Sequence, residues 1–195
     1  WNLVFMQYYH HKDNKRTPLP KPSVDTGMGL ERLASILQNV PHIYETDIFK
    51  PIIEQIQTIT KTKYLDSNNA YSIRVIAEHC RSATFLIADG VTPNNEGRGY
   101  VLRRIVRRAI RHSHRLGYNK PILCDIANFV IEKMGEIYPE LKQNQDFIKT
   151  ILRGEEEKFQ EVFERGSAYL NEILSSKKTI PSDLSFKLWD TYGFP

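Results

Sequence analysis

The residues best suited to chemistry lie between Asn94 and Arg115. After the turn-forming run Asn94-Asn95-Glu96-Gly97 come Arg98, Arg103, Arg104, Arg107, Arg108, Arg111 and Arg115, with no acidic residue among them. Apolar residues fall at Val101, Leu102, Ile105, Val106, Ala109 and Ile110. At about 100° per residue the apolar set takes one half of a helical wheel and the later arginines the other. The spacing predicts a helix over 101–115 that packs on one side and is cationic on the other. Arg103, Arg107 and Arg111, like Arg104 and Arg108, set like charges four apart, which costs roughly 0.2–0.5 kcal/mol per pair. An anionic partner would offset that repulsion. A phosphate backbone fits, because arginine keeps its charge and forks onto phosphate oxygens. Acidic side chains elsewhere in the fold are the alternative.

A second stretch, Ser23-Val24-Asp25-Thr26-Gly27-Met28-Gly29-Leu30-Glu31-Arg32, leads from extended chain into a helix expected to run to about Gln38. Gly27 and Gly29 permit close backbone approach where that helix starts. Arg32 stands in its first turn, where guanidinium and backbone donors could converge on an anion. A plain helix start with a surface arginine fits the same residues. His10 and His11, adjacent in a charged turn, lack a third metal ligand, and no metal site is expected.

The elements that must position these residues can be read from periodicity. Residues 3–9 suit a buried strand, followed by a polar turn and, after Pro18, Pro20 and Pro22, a short extended piece, Ser23-Val24-Asp25. Helices are expected over about 30–38, 48–60, 72–88, 101–115 and 122–138, and one long helix or two over 141–171. Asp66-Ser67-Asn68-Asn69 reads as a loop, and Arg74 and Glu78 can pair four apart. Glu155-Glu156-Glu157 reads as a solvated face, with internal pairing to the arginine helix as the alternative. Ser182 or Asp183 could cap a last short helix over about 184–191. Cys80 and Cys124 have no CxxC spacing and read as packing residues in a reduced chain.

At 195 residues, 41% apolar and 26% charged, the chain is globular and large enough for one sizeable core or two small ones. The formal net charge is only +4, so its meaning rests on where the charge sits. No run approaches the apolar length of a membrane span, and a cytoplasmic location is the simplest expectation.

Five stretches together resemble one family. They are Trp1-Asn2-Leu3-Val4-Phe5-Met6-Gln7, Leu19 to Arg32, Arg74-Val75-Ile76-Ala77-Glu78-His79, Phe85-Leu86-Ile87-Ala88-Asp89-Gly90-Val91 and Asn95 to Arg104. In sequence, order and approximate spacing they resemble the alanyl-tRNA synthetases, of the class II aminoacyl-tRNA synthetases. The terminal Trp189-Asp190-Thr191-Tyr192-Gly193-Phe194-Pro195 is similar too, with Trp189 where the family more often carries Tyr.

The resemblance implies that Gly27 to Arg32 is motif 3. Arg32 would stabilise the ATP phosphates in the transition state, with Gly27 and Gly29 beside the nucleotide. Asp25 would hold the ammonium of alanine, Asn2 would hydrogen-bond the amino acid and Val4 would bound a small methyl pocket. ATP and Mg2+ would serve the parent enzyme. Asn95 and Asp190 would read the G·U wobble pair of the tRNA-Ala acceptor stem, whose guanine 2-amino group faces the shallow minor groove. Arg98, Arg103, Arg104, Arg107, Arg108 and Arg111 would place the RNA backbone. Taken without the family, Asn95 suits turn chemistry and Asp190 local capping or pairing.

The resulting expectation is a mainly α chain. A short remnant of the class II antiparallel β catalytic domain over 1–42, ending near Val40 to Thr46, precedes a helical acceptor-stem recognition domain over 43–195. Motifs 1 and 2 of the family do not occur, so the segment is expected not to activate alanine by itself. A non-catalytic helical module for structured RNA in general is the alternative.

Overall fold

A computed structural model of the chain describes residues 1–176 together with Ser182 and Phe186. Its described elements are a two-stranded hairpin followed by seven helices, in two compact units, Trp1–Pro51 and Ile52–Pro195.

In the first unit, β1 (Asn2–His10) pairs antiparallel with β2 (Arg16–Gly27). Asn14 makes the turn possible by taking φ +64°, a left-handed conformation that Asn tolerates. The backbone amide of Asn14 donates to the His11 carbonyl at 3.0 Å, and that of His11 to the Lys15 carbonyl at 2.9 Å. Regular pairing from Asn2–Gly27 to Met6–Ser23 is broken between Met6 and Tyr8, where Pro18, Pro20 and Pro22 of β2 withhold three ladder donors.

The expected burial of β1 is not observed. Leu3, Val4, Phe5, Met6, Tyr8 and Tyr9 are all exposed, because a ribbon of two strands has no second layer to cover either face. Helix α1 (Leu30–Leu37) likewise buries no residue, and its Leu30 and Leu37 are exposed. Beyond α1, Gln38 clasps Asp47 through side chain and backbone at 2.6 and 3.0 Å, and Phe49 is buried with the Tyr44 ring 5.2 Å away.

Helix α2 (Lys50–Thr60) runs into the second unit and buries Ile52, Ile53 and Ile56 at the predicted spacing. The centre of this unit is α3 (Ser67–Ala88), which packs against α4 (Gly97–Arg115), α5 (Leu123–Met134) and α7 (Gln145–Ser176), while a short α6 (Pro139–Gln143) lies between α5 and α7 in sequence. Helix α3 starts a turn earlier than its apolar pattern predicts. Asp66 caps it by accepting the Asn68 amide at 3.0 Å, so the expected loop is a cap and first turn. Ile73, Ile76, Ala77, Cys80, Ala83 and Ile87 on α3 and Leu102, Val106 and Ala109 on α4 are at most 1% exposed. Each large aliphatic side chain among them contributes roughly 1.5–3 kcal/mol by leaving water. Cys80 donates weakly to the Leu123 carbonyl at 3.4 Å, and burial raises its thiol pKa, as packing predicts.

Candidate nucleic-acid interface

Helix α4 begins at Gly97, a turn before the predicted start, and two glycines explain how. Gly97 has φ +57°, which a side chain would resist. At Gly99 a Cβ would stand 2.5 Å from the Thr92 carbonyl oxygen and 2.6 Å from Asn94 Cβ, so the loop over 92–94 lies flat on the first turn of the helix.

That loop is also latched by a side chain. Arg103 donates from Nη1 to the amide oxygen of Asn95, and from Nη2 to the Pro93 carbonyl at 3.3 Å. Its Nε lies 3.4 Å from Glu155 Oε1 on α7. Arg107 donates from Nε to the same oxygen at 2.7 Å, with its guanidinium 5.4 Å from the Phe159 ring centre. The Glu155 side chain is 3% exposed and the two arginines about a quarter exposed, at 23% and 25%. The acidic run over 155–157 is therefore not a solvated face: Glu155 and Glu156 are buried, and Glu157 alone is exposed. Glu156 Oε1 accepts the amides of Ile122 and Leu123 at 2.9 and 3.0 Å, satisfying the N-terminal end of α5. Burial raises its carboxyl pKa, and the backbone hydrogen bonds only partly oppose that shift.

The remaining arginines of the stretch form the outer ridge. Arg98, Arg104, Arg108, Arg111 and Arg115 are exposed. The last four fall within about 60° of one another on the wheel. Arg104 rests 5.8 Å from the Tyr100 ring centre, and Arg108 donates to the Tyr71 hydroxyl at 2.8 Å. Behind the ridge His112 is 2% exposed, its Nδ1 2.9 Å from Ser72 Oγ and its ring edge-on to Tyr71. Burial and the nearby charges of Arg111, Arg108 and Arg115 push its pKa down to about 4, so the ring is neutral at pH 7. His79 is lowered in the same way, by burial and then Arg108.

The hairpin brings a different set together. Asn2 stands opposite Gly27 and Val4 opposite Asp25, two residues apart along each strand. Directly paired residues, and residues two apart, share one face of a sheet. Asn2, Val4 and Asp25 therefore point from the same face of the ribbon. Asp25 Oδ1 also accepts the Thr26 amide at 2.9 Å. Following the strand, α1 has Gly29 at its N-cap, with no side chain capping its first amides. The stem of exposed Arg32 folds back over Gly29: a Cβ placed there would meet Arg32 Cδ at 3.5 Å.

The sequence family described as tRNA synthetases class II (A) matches residues 1–195. Over 197 residues the chain is 54% identical to an alanine–tRNA ligase of Pseudoalteromonas translucida, covering 100% of this chain and 22% of that protein. It is 48% identical over 200 residues to the alanine–tRNA ligase of Staphylococcus saprophyticus, and equally to that of Staphylococcus aureus, covering 100% of the chain and 23% of each relative. The chain belongs to the alanyl-tRNA synthetase family. It spans less than a quarter of the length of these curated relatives.

In this synthetase segment the structure joins Asn95 to Arg103, and Arg103 and Arg107 to one buried carboxylate, while Arg98, Arg104, Arg108 and Arg111 stay at the surface. The other expected reader, Asp190, lies outside the described residues, as does all but Phe186 of the short helix expected over 184–191. Gly99, Tyr71 and Glu155 were not singled out as site residues from the sequence. For Glu155 the structure shows the alternative reading of the acidic run, pairing with the arginine helix, to a partner Arg107 that is 48 positions away. Gly99 had a local sign, the glycine two positions into a helix immediately after a turn. Among the described residues no group of three His, Cys, Asp or Glu could hold a metal ion, and no helix is long and apolar enough to cross a membrane.

Proposed function

We propose that this chain is the part of an alanine–tRNA ligase that closes one side of the alanine and ATP site and recognises the acceptor stem of tRNA-Ala. In this reading the enzyme joins alanine to tRNA-Ala through alanyl adenylate, using ATP. The hairpin and α1, within residues 1–42, belong to the catalytic domain, and residues 43–195 form the recognition domain. Asp25 pairs with the alanine ammonium, Asn2 hydrogen-bonds the amino acid, and Val4 limits the side chain to a methyl group. Their common face on the ribbon supports this grouping. The uncapped start of α1 and the guanidinium of Arg32 suit an anionic triphosphate, with Gly27 and Gly29 allowing close approach. Mg2+ would arrive with the nucleotide phosphates, since no described cluster of ligands offers it a cage.

The observation that carries the recognition reading is an amide oxygen, that of Asn95, fixed at the foot of a ridge of exposed arginines. The ridge suits phosphates, which set position and register, and the amide oxygen suits the guanine 2-amino group of a wobble pair. Asp190 is proposed as the second acceptor. In the full-length enzyme, Asn95→Ala is expected to reduce the preference for a G·U over a G·C acceptor minihelix, measured as the ratio of kcat/KM for aminoacylation. An unchanged ratio would remove Asn95 from the role and favour a general structured-RNA module. The segment alone is proposed to be inactive, because the family's motifs 1 and 2 are not in it. Alanine-dependent pyrophosphate exchange by residues 1–195 alone would refute that.

A further inference from the structure

A reader that works through one lone pair must be held with its oxygen, not its nitrogen, turned to the donor. An amide such as that of Asn95 can rotate to present either. Arginine only donates, so the Arg103 Nη1 contact selects the oxygen end of Asn95 and leaves that oxygen a second lone pair. The orientation of Asn95 is thus inherited from the orientation of Arg103.

Arg103 is in turn oriented from elsewhere. A guanidinium is planar, and its donors leave in fixed directions. With both Nη atoms committed to the loop at Asn95 and Pro93, the Nε edge faces inward, where its nitrogen is buried and without a hydrogen-bond partner of its own. The charge facing that edge is Glu155, 3.4 Å away on α7 and almost wholly buried. The same carboxylate oxygen holds Arg107 at 2.7 Å, so Glu155 offsets part of the repulsion between two guanidiniums four residues apart. Within the loop, the exposed tip at Asn94 and Asn95 has a hydrogen bond from the Asn95 backbone amide to the neighbouring Asn94 side chain at 2.7 Å, which leaves the Asn95 side chain to be oriented by Arg103.

We infer that Glu155 is a positioning residue for recognition of the wobble pair. From α7 it sets the plane of Arg103, and Arg103 sets the Asn95 amide oxygen that accepts from guanine. This rests on the reading of Asn95 given above. It also separates the arginines into two groups, with Arg103 and Arg107 building the reader and Arg98, Arg104, Arg108, Arg111 and Arg115 left to meet phosphates.

The test uses the full-length synthetase containing this chain, with G·U and G·C acceptor minihelices as substrates. Asn95→Ala, Glu155→Gln, Arg103→Lys and the Asn95→Ala/Glu155→Gln pair are compared. Glu155→Gln keeps the shape of the side chain and removes its charge, and is expected to lower the G·U over G·C ratio of kcat/KM by about tenfold or more, since small misplacements of a reacting partner carry costs of that order. Alanine-dependent pyrophosphate exchange, which needs no tRNA, should be unchanged in Glu155→Gln. The double variant should discriminate no worse than Asn95→Ala alone, because both act on one oxygen. If Glu155→Gln proves unstable, Arg103→Lys decides: one ammonium cannot span Glu155 and Asn95 together, and the ratio must fall.

If Asn95→Ala lowers the ratio while Glu155→Gln or Arg103→Lys leaves it intact, the inference is overturned and the reading of Asn95 stands. If Asn95→Ala leaves the ratio intact, that reading fails and the inference with it. Equal losses on both minihelices, or effects that add in the double variant, would show a purely structural role for Glu155.

Discussion

The hairpin unit and the helical unit both carry residues suited to chemistry, but they hold them by different means. In the ribbon, Asn2, Val4 and Asp25 share a face because strand pairing in register puts them there, and none of the three is buried. In the helical unit, Asn95 is held through Arg103 to a carboxylate 52 residues further along the chain, inside a core of fully buried side chains. Register is a local property that needs only two strands and a turn. A latch across two helices needs the whole packed unit, so one arrangement survives without a core and the other depends on it.

The largest effects should come from testing that dependence. Ile76→Ala or Leu102→Ala, each at a position 0% exposed, is expected to destabilise the helical unit by about 2–5 kcal/mol in denaturant unfolding followed by circular dichroism. Phe5→Ala, at a side chain 69% exposed, should change the same transition by no more than about 0.5 kcal/mol. A comparable loss at Phe5 would break the contrast.

Function should divide along the same line. In the full-length enzyme, Arg32→Ala is expected to slow alanine-dependent pyrophosphate exchange by about 10²–10³-fold, as for a lost charge stabiliser in the transition state. It should leave the salt dependence of tRNA binding as it was. Arg104→Ala should do the reverse, lowering the slope of log K against log salt by about one phosphate contact without touching exchange.

A smaller effect should appear with pH in the helical unit. His112 has a folded pKa near 4 against its usual 6.5, so between those values the unfolded chain binds more protons. Stability from this site is complete above about pH 6.5 and is lost as pH falls towards 4. The groups facing His112 are Ser72, Tyr71, His79 and the cations Arg108, Arg111 and Arg115. His112→Asn, which keeps a polar partner for Ser72, should flatten the pH dependence of the unfolding midpoint over that window. An unchanged slope would assign the dependence to other groups, such as His114, which burial also lowers.

The helices were legible because their signal is local. Ile52, Ile53 and Ile56 on α2, and Leu102, Val106 and Ala109 on α4, are buried where a 3.6-residue repeat puts them. The starts of α3 and α4 were read a turn late because apolar periodicity begins after the cap, and Asp66, Gly97 and Gly99 act before it. The strand of β1 was legible but its burial was not, since Leu-Val-Phe-Met describes a side chain's preference and not what covers it. For the acidic run over 155–157 the pattern of charge favoured solvent over the alternative of pairing with the arginine helix, whereas Glu155 makes that pairing and Glu156 accepts amides at the start of α5.

By itself the sequence determined the family, the mainly helical class, the strand of β1 and the cationic stripe, because each is written in neighbours a few positions apart or in a run of matching residues. Only the tertiary structure decided that Arg103 and Arg107 turn inward to Glu155 while Arg98, Arg104, Arg108, Arg111 and Arg115 remain outside. Identical side chains on one helix differ only in which neighbouring helix lies within reach. That depends on how α4 and α7 pack, a relation between distant segments that no local spacing records.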